Sequence, residues 1–127
     1  MFIDTHAHLD FPDFKNEVHQ VLGRAIESNV RRIINVGVDI DSSKRSVDLA
    51  RKYPEIYAAC GIHPHSANDL DIEANQKLLA ITNHQKVVAV GEIGLDYYYI
   101  KRSSQFSNYP NREKQILCFE QMLDLSV

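Results

Sequence analysis

Four short apolar segments recur along the 127-residue chain, and their spacing constrains its fold more than any other feature. They occupy residues 1–3, 32–38 (RIINVGV), 56–62 (IYAACGI) and 87–93 (VVAVGEI), starting roughly 24 to 31 residues apart. That interval is the length of a strand, a helix and their loops. Helical patterns fill the gaps. Val18, Leu22, Ala25 and Ile26 fall on one face of a helix over about 13–28. The Asp41-Ser42-Ser43 run supplies N-cap chemistry for a second helix, which must stop near Tyr53 because Pro54 follows. A third covers about 72–82, with Leu78, Leu79 and Ile81 as candidate core residues. A fourth starts near Asn111 and carries Ile116, Phe119, Met122 and Leu123. Short apolar strands alternating with helices predict an α/β fold, a parallel sheet covered by helices. No linker, low-complexity tract or second domain is read within residues 1–127.

Composition excludes several classes. The hydrophobic content of 44% and charged content of 24% are those of an ordinary globular chain. No apolar run approaches the ~20 residues of a membrane span. No basic stretch leads into a long apolar one, so a secretory signal is not expected. Cys60 and Cys118 form no Cys-x-x-Cys pair and read as reduced thiols, which points to the cytoplasm. A net charge of −3 argues against a broadly basic nucleic-acid surface. It leaves room for an enzyme that holds phosphate through metal ions and a few local cations.

The polar residues gather at the carboxyl ends of the strands. His6 and His8 follow the first, Asp39 the second, His63 and His65 (GIHPH) the third, and Glu92 and Asp96 (GEIGLD) the fourth. In parallel α/β folds that end carries the site. Strand alternation puts Asp4, His6 and His8 on one face and Val88, Val90, Glu92, Gly94 and Asp96 on another. An isolated His-x-His is more often a pair of hydrogen-bonded histidines. With Glu92 alongside, the set becomes two imidazoles and a carboxylate, suited to Zn, Mn or a similar divalent ion. Glu92 could equally pair with a nearby Lys or Arg. Asp4 is expected to orient a histidine or a turn, Asp10 to close the turn in LDFPDF, and His19 and His84 to lie at the surface. The segment after Asp96 interleaves Tyr97, Tyr98, Tyr99, Phe106 and Tyr109 with Lys101, Arg102, Arg112 and Lys114. Such a stretch either stacks and contacts single-stranded nucleic acid or packs as a rim loop.

Together DTHAHLD, GIHPH and GEIGLDYY resemble the signatures of TatD-type metal-dependent deoxyribonucleases, within the amidohydrolase-like barrels. The resemblance runs over essentially the whole chain. It implies a TIM-like barrel, of which residues 1–127 would form the N-terminal half, about four of eight βα units. It implies two divalent ions (Mg, Mn or Zn), with His6 and His8 on one and Glu92 bridging both. It implies hydrolysis of DNA, single-stranded or at 3′ ends, by a metal-activated water. Glu92, His63 and Asp96 would then be catalytic, and His63, His65, Tyr97, Lys101 and Arg102 would meet substrate. Two features depart from the family. The later histidines and aspartate that complete its ligand set are absent. Tyr99 stands where an arginine commonly follows the two tyrosines, so Lys101 or Arg102 would have to replace it. A half-barrel could self-associate, pair with a separate second half, or fold poorly alone, and a fragment of a longer chain would explain it equally well. The alternatives are amide or ester hydrolysis on the same scaffold, or an inactive half-barrel serving as an interaction module.

Overall fold

The computed structural model describes residues 1–100 and 108–127. Four parallel strands lie in the sequential order β1-β2-β3-β4: β1 Phe2–Ala7, β2 Val30–Val36, β3 Ile56–Cys60 and β4 Val87–Val90. The helices are α1 Val18–Glu27, α2 Ile40–Lys52, α3 Ile72–Thr82 and α4 Arg112–Leu125. Short 3₁₀ turns occupy Pro12–Phe14 and Pro64–Asp69. Sequential strand order with a crossover helix each time is the βα repeat of a barrel, and the described residues contribute four strands to it. Among the described residues no helix is long and apolar enough to cross a membrane.

Several expected boundaries shift, each for a local reason. β1 runs to Ala7 rather than Ile3, because its polar second half still ladders onto β2 (Ala7 opposite Asn35). α1 begins at Val18, not near Asp13: Pro12 opens a tight turn whose i−3 bonds (Phe14 N–H to Phe11 O, Lys15 N–H to Pro12 O) precede the helix. α2 begins at Ile40, one residue before the expected Asp41, and its cap is Asp39. Asp39 accepts the Ser42 N–H at 2.7 Å while Ser42 Oγ meets the Asp39 N–H at 2.9 Å, a reciprocal capping box. Asp39 is therefore a helix cap and not part of the polar cluster at the strand ends.

The core lies between sheet and helices and centres on Ile33, Ile56, Ala58, Cys60, Ile62, Leu78, Cys118 and Met122. Of the residues proposed for the helix faces, Val18, Leu22, Leu78 and Met122 are buried. Ile26, Leu79, Ile116 and Leu123 are exposed. In α4 the buried stripe is Gln115, Cys118 and Met122. Apolar residues surround that helix, so periodicity alone could not select its inner face. Gly61, at the end of β3, allows a close approach: a Cβ there would lie 2.9 Å from Ile93 Cγ2 and 3.0 Å from the Gly91 carbonyl carbon.

Candidate metal centre

β1 carries His6 to the carboxyl edge of the sheet, and His8 follows one residue beyond its end. Asp4 Oδ1 accepts the His6 backbone N–H at 3.0 Å. His8 is fixed more firmly. Its Nδ1 lies 2.9 Å from the Val36 carbonyl, which can only accept, so the ring proton sits on Nδ1 and the lone pair on Nε2. The ring also stacks on Phe11, with centroids 4.8 Å apart and planes at 16°.

The backbone beyond His8 is anchored by Asn35, a fully buried side chain of β2. Its Oδ1 accepts the Leu9 N–H, and its Nδ2 donates to Asp10 Oδ1 at 3.0 Å and Ser46 Oγ at 2.8 Å. Arg45 reaches the other Asp10 oxygen at 3.2 Å, and the Asp10 side chain is wholly covered. Asp10 is thus engaged by Asn35 and Arg45, away from the imidazoles.

Glu92 arrives from the far side of the sheet. After β4 the chain continues the ladder through Gly91 N–H to Cys60 O at 3.0 Å. It then crosses so that Glu92 N–H donates to Gly37 O at 3.1 Å. Glu92 Oε2 comes to rest 3.3 Å from His6 Nε2 and 4.0 Å from His8 Nε2, and the two imidazole nitrogens are 3.2 Å apart. A circle through these three atoms has a radius of about 2.1 Å, the bond length from a divalent ion to His nitrogen or carboxylate oxygen. The donor set and its spacing fit one such ion. Among the described residues no other group of three His, Cys, Asp or Glu side chains converges in this way.

His63 lies at the edge of this tripod, its Nε2 3.6 Å from Glu92 Oε1. Its Nδ1 accepts the His65 backbone N–H at 3.1 Å. The neutral ring therefore carries its proton on Nε2 and presents a donor, not a ligand lone pair. Burial, and then the neighbouring His65, hold its pKa below the ordinary imidazole value. The structure thus brings His6, His8, Glu92 and His63 together.

Asp96 and His65 form a separate pair on the rim. His65 Nε2 is 2.8 Å from Asp96 Oδ2, and the Tyr98 N–H donates to Asp96 Oδ1 at 2.8 Å. These two bonds, His65 first, keep the Asp96 carboxyl below its usual range. His65 sits edge-on to His63, Tyr99 and Tyr109, with centroids 4.2, 5.6 and 5.1 Å away. The Tyr109 hydroxyl donates to the Asp96 carbonyl at 3.1 Å, and burial followed by the Asp96 charge pushes its pKa up to about 12. Tyr97 stands apart from the tripod, its ring 4.8 Å from the Arg112 guanidinium carbon. Lys101 and Arg102 lie outside the described residues. His19 is exposed, and His84, half-buried, receives a hydrogen bond from Arg51 at 3.2 Å.

Two residues of the site's framework, Asn35 and Gln115, escaped the sequence reading. The available signal was a polar amide in an otherwise apolar run: Asn35 inside RIINVGV, Gln115 three and seven residues before Cys118 and Met122.

The model of the TatD-related DNase family matches residues 3–127. An uncharacterised metal-dependent hydrolase of Bacillus subtilis, YabD, is 40% identical over 101 residues, covering 80% of this chain and 40% of the relative. The 3′-5′ ssDNA/RNA exonuclease TatD of Salmonella typhimurium is 31% identical over 94 residues, covering 74% and 36%. The crystal structure of YjjV, a TatD homologue of Escherichia coli, superposes with a TM-score of 0.81 at 35% identity, covering 98% of this chain and 46% of that one. A TatD-family hydrolase of Entamoeba histolytica gives 0.82 at 27% identity, covering 98% and 45%. The chain thus spans under half the length of each of these relatives.

Proposed function

This chain belongs to the TatD-related DNase family, and from that premise we propose that it forms the metal-binding half of a hydrolase acting on phosphodiester bonds of single-stranded DNA, from 3′ ends. The observation that carries the proposal is the convergence of His6 Nε2, His8 Nε2 and Glu92 Oε2 on a circle of metal-bond radius. The relative named as an ssDNA/RNA exonuclease supports the choice of substrate.

In this reading His6, His8 and Glu92 would hold a divalent ion (Mg, Mn or Zn), and Glu92 would also serve a second. Such ions supply Lewis acidity toward a phosphoryl oxygen and lower the pKa of water. The chain's own residues do the rest. Val36 O fixes the His8 tautomer, so its lone pair faces the centre. His63 presents its Nε2–H 3.6 Å from Glu92 Oε1, where a substrate phosphoryl oxygen would accept it. Asp96 holds His65 at the rim, where His65 and Tyr97 would meet the nucleic acid, with Lys101 and Arg102 adding charge from the neighbouring segment. Among the described residues β1 and β4 are the outer strands of the sheet, and a second copy or a complementary half would pair with their edges. The buried free thiols Cys60 and Cys118 suit a reducing cytoplasm.

The test is cleavage of a 3′-labelled single-stranded oligonucleotide by the purified chain with added Mn or Mg. We expect cleavage that is abolished by chelation and by Glu92→Ala. A folded chain that binds Mn yet leaves DNA intact at every protein concentration would reject hydrolysis by this chain.

A further inference from the structure

Gln115 is fully buried, yet every polar atom of its side chain is engaged with the loop above the site. Its Oε1 accepts the Asp96 backbone N–H at 2.8 Å, and its Nε2 donates to the Asp96 carbonyl at 2.8 Å and to the Pro110 carbonyl at 3.0 Å. One carboxamide therefore grips Asp96 on both sides of its Cα and ties it to Pro110, fourteen residues later. Gln115 comes from the first turns of α4, whose Cys118 and Met122 lie in the core. The grip is thus built on a packed helix.

The gripped residue sits at the head of a chain of contacts that leads to the metal tripod. The Asp96 carboxylate lies 2.8 Å from the His65 ring Nε2, the His65 backbone N–H donates to His63 Nδ1 at 3.1 Å, and His63 Nε2 faces Glu92 Oε1 at 3.6 Å. Asp96 has no strand ladder of its own, since β4 ends at Val90. Its backbone N–H bonds Gln115, and its carbonyl bonds Gln115 and Tyr109. A charge-assisted hydrogen bond at 2.8 Å tolerates little displacement.

We infer that Gln115 is a positioning residue for the candidate site: by clamping the Asp96 backbone it aims the Asp96 carboxylate at His65, and so sets the imidazole that faces substrate. The inference deepens the proposed function, since it takes His65 as a substrate contact, but its first readout does not depend on turnover. A purely space-filling role would be met equally well by methionine, which matches glutamine in length and lacks its hydrogen bonds.

The experiment compares wild type, Gln115→Met and Gln115→Glu, each checked for fold by circular dichroism. In wild type, ¹⁵N-resolved NMR should show a His65 Nε2–H protected from exchange by Asp96. Gln115→Met should lose that signal, with Mn affinity within about twofold of wild type because Gln115 bonds none of His6, His8 and Glu92. Its KM for the oligonucleotide should rise about tenfold, the size of one hydrogen bond to a charged group. Burial favours the neutral form of a glutamic acid at this position, which keeps one donor and one acceptor for Asp96. Gln115→Glu should therefore restore the His65 signal at low pH and lose it as pH rises and the acid ionises. A His65 signal unchanged in folded Gln115→Met, or a Gln115→Glu signal that does not vary with pH, would overturn the inference. Should wild type bind Mn but not cleave, the hydrolase reading fails while the NMR comparison still decides the role of Gln115.

Discussion

Replacing Asn35 with leucine should unfold the chain at markedly lower denaturant and loosen the metal centre at the same time. The side chain is fully buried and serves three partners. Leucine fills nearly the same volume, so cavity formation contributes little, and the loss is polar. The Leu9 N–H, in a residue only 6% exposed, is left without an acceptor, at a cost of about 1–3 kcal/mol. Asp10 loses a donor to a covered carboxylate, worth about 1.5–3 kcal/mol, though Arg45 still holds its other oxygen. Ser46 Oγ keeps its own bond to Ser42 O at 2.8 Å, so its loss is small. Added apolar burial offsets roughly 1 kcal/mol, leaving a net destabilisation of about 3 kcal/mol. With a urea slope of about 1–3 kcal/mol/M for a domain of this size, the midpoint falls by at least about 1 M. Because Leu9 directly follows His8, Mn affinity measured by calorimetry should fall as well. Asn35→Asp sharpens the case: it keeps the acceptor for Leu9 but sets a second carboxylate against Asp10, so its defect should shrink on acidification. A midpoint for Asn35→Leu within about 0.3 M of wild type, with equal slope and Mn affinity, would refute the assignment of Asn35 as the anchor of this loop.

Further outcomes follow from other contacts. Gly61→Ala drives a methyl to 2.9 Å from Ile93 Cγ2 and 3.0 Å from the Gly91 backbone, and should cost about 1–3 kcal/mol in urea unfolding. It should also weaken Mn binding, since the displaced backbone carries Glu92. The Asp96 carboxyl titrates below its ordinary value in the folded chain, chiefly through His65. Its stabilising effect is therefore complete above the ordinary carboxylate pKa and fades as pH falls through the depressed one. The stability gap between wild type and Asp96→Asn should close over that acid window in pH-dependent urea titrations; a gap that stays constant there would contradict the His65–Asp96 pairing. Cys60 and Cys118 are buried, and burial raises both thiols to about 11. Both should resist a disulfide reagent at pH 8 in native buffer and react at once in denaturant; fast labelling of the native chain would contradict their burial.

The sequence by itself determined the repeating βα plan, because strand and helix periodicities are local and each apolar segment carries its own signal. It also placed His6, His8, His63 and Glu92 at or just beyond strand ends, since position along a strand is a matter of counting; Asp96, expected on the β4 face, lies six residues past the end of β4 and is held by Gln115 and Tyr109 instead. Boundaries that depended on reciprocal contacts were less legible: the cap of α2 moved to Asp39 because Ser42 answers it, and the inner face of α4 is Gln115, Cys118 and Met122 rather than Ile116 and Leu123. What only the tertiary structure decided is convergence. Glu92 meets His6 because the chain leaves β4 and crosses to Gly37 O, a path that strand alternation does not contain. His63 presents a donor because a backbone N–H two residues on claims its other nitrogen. Asn35 and Gln115 anchor the loops around the centre because burial leaves their amides no water to bond, so each must find its partners in protein backbone and neighbouring side chains. Those partners lie as far apart in sequence as 26 and 19 residues, beyond the reach of any local pattern.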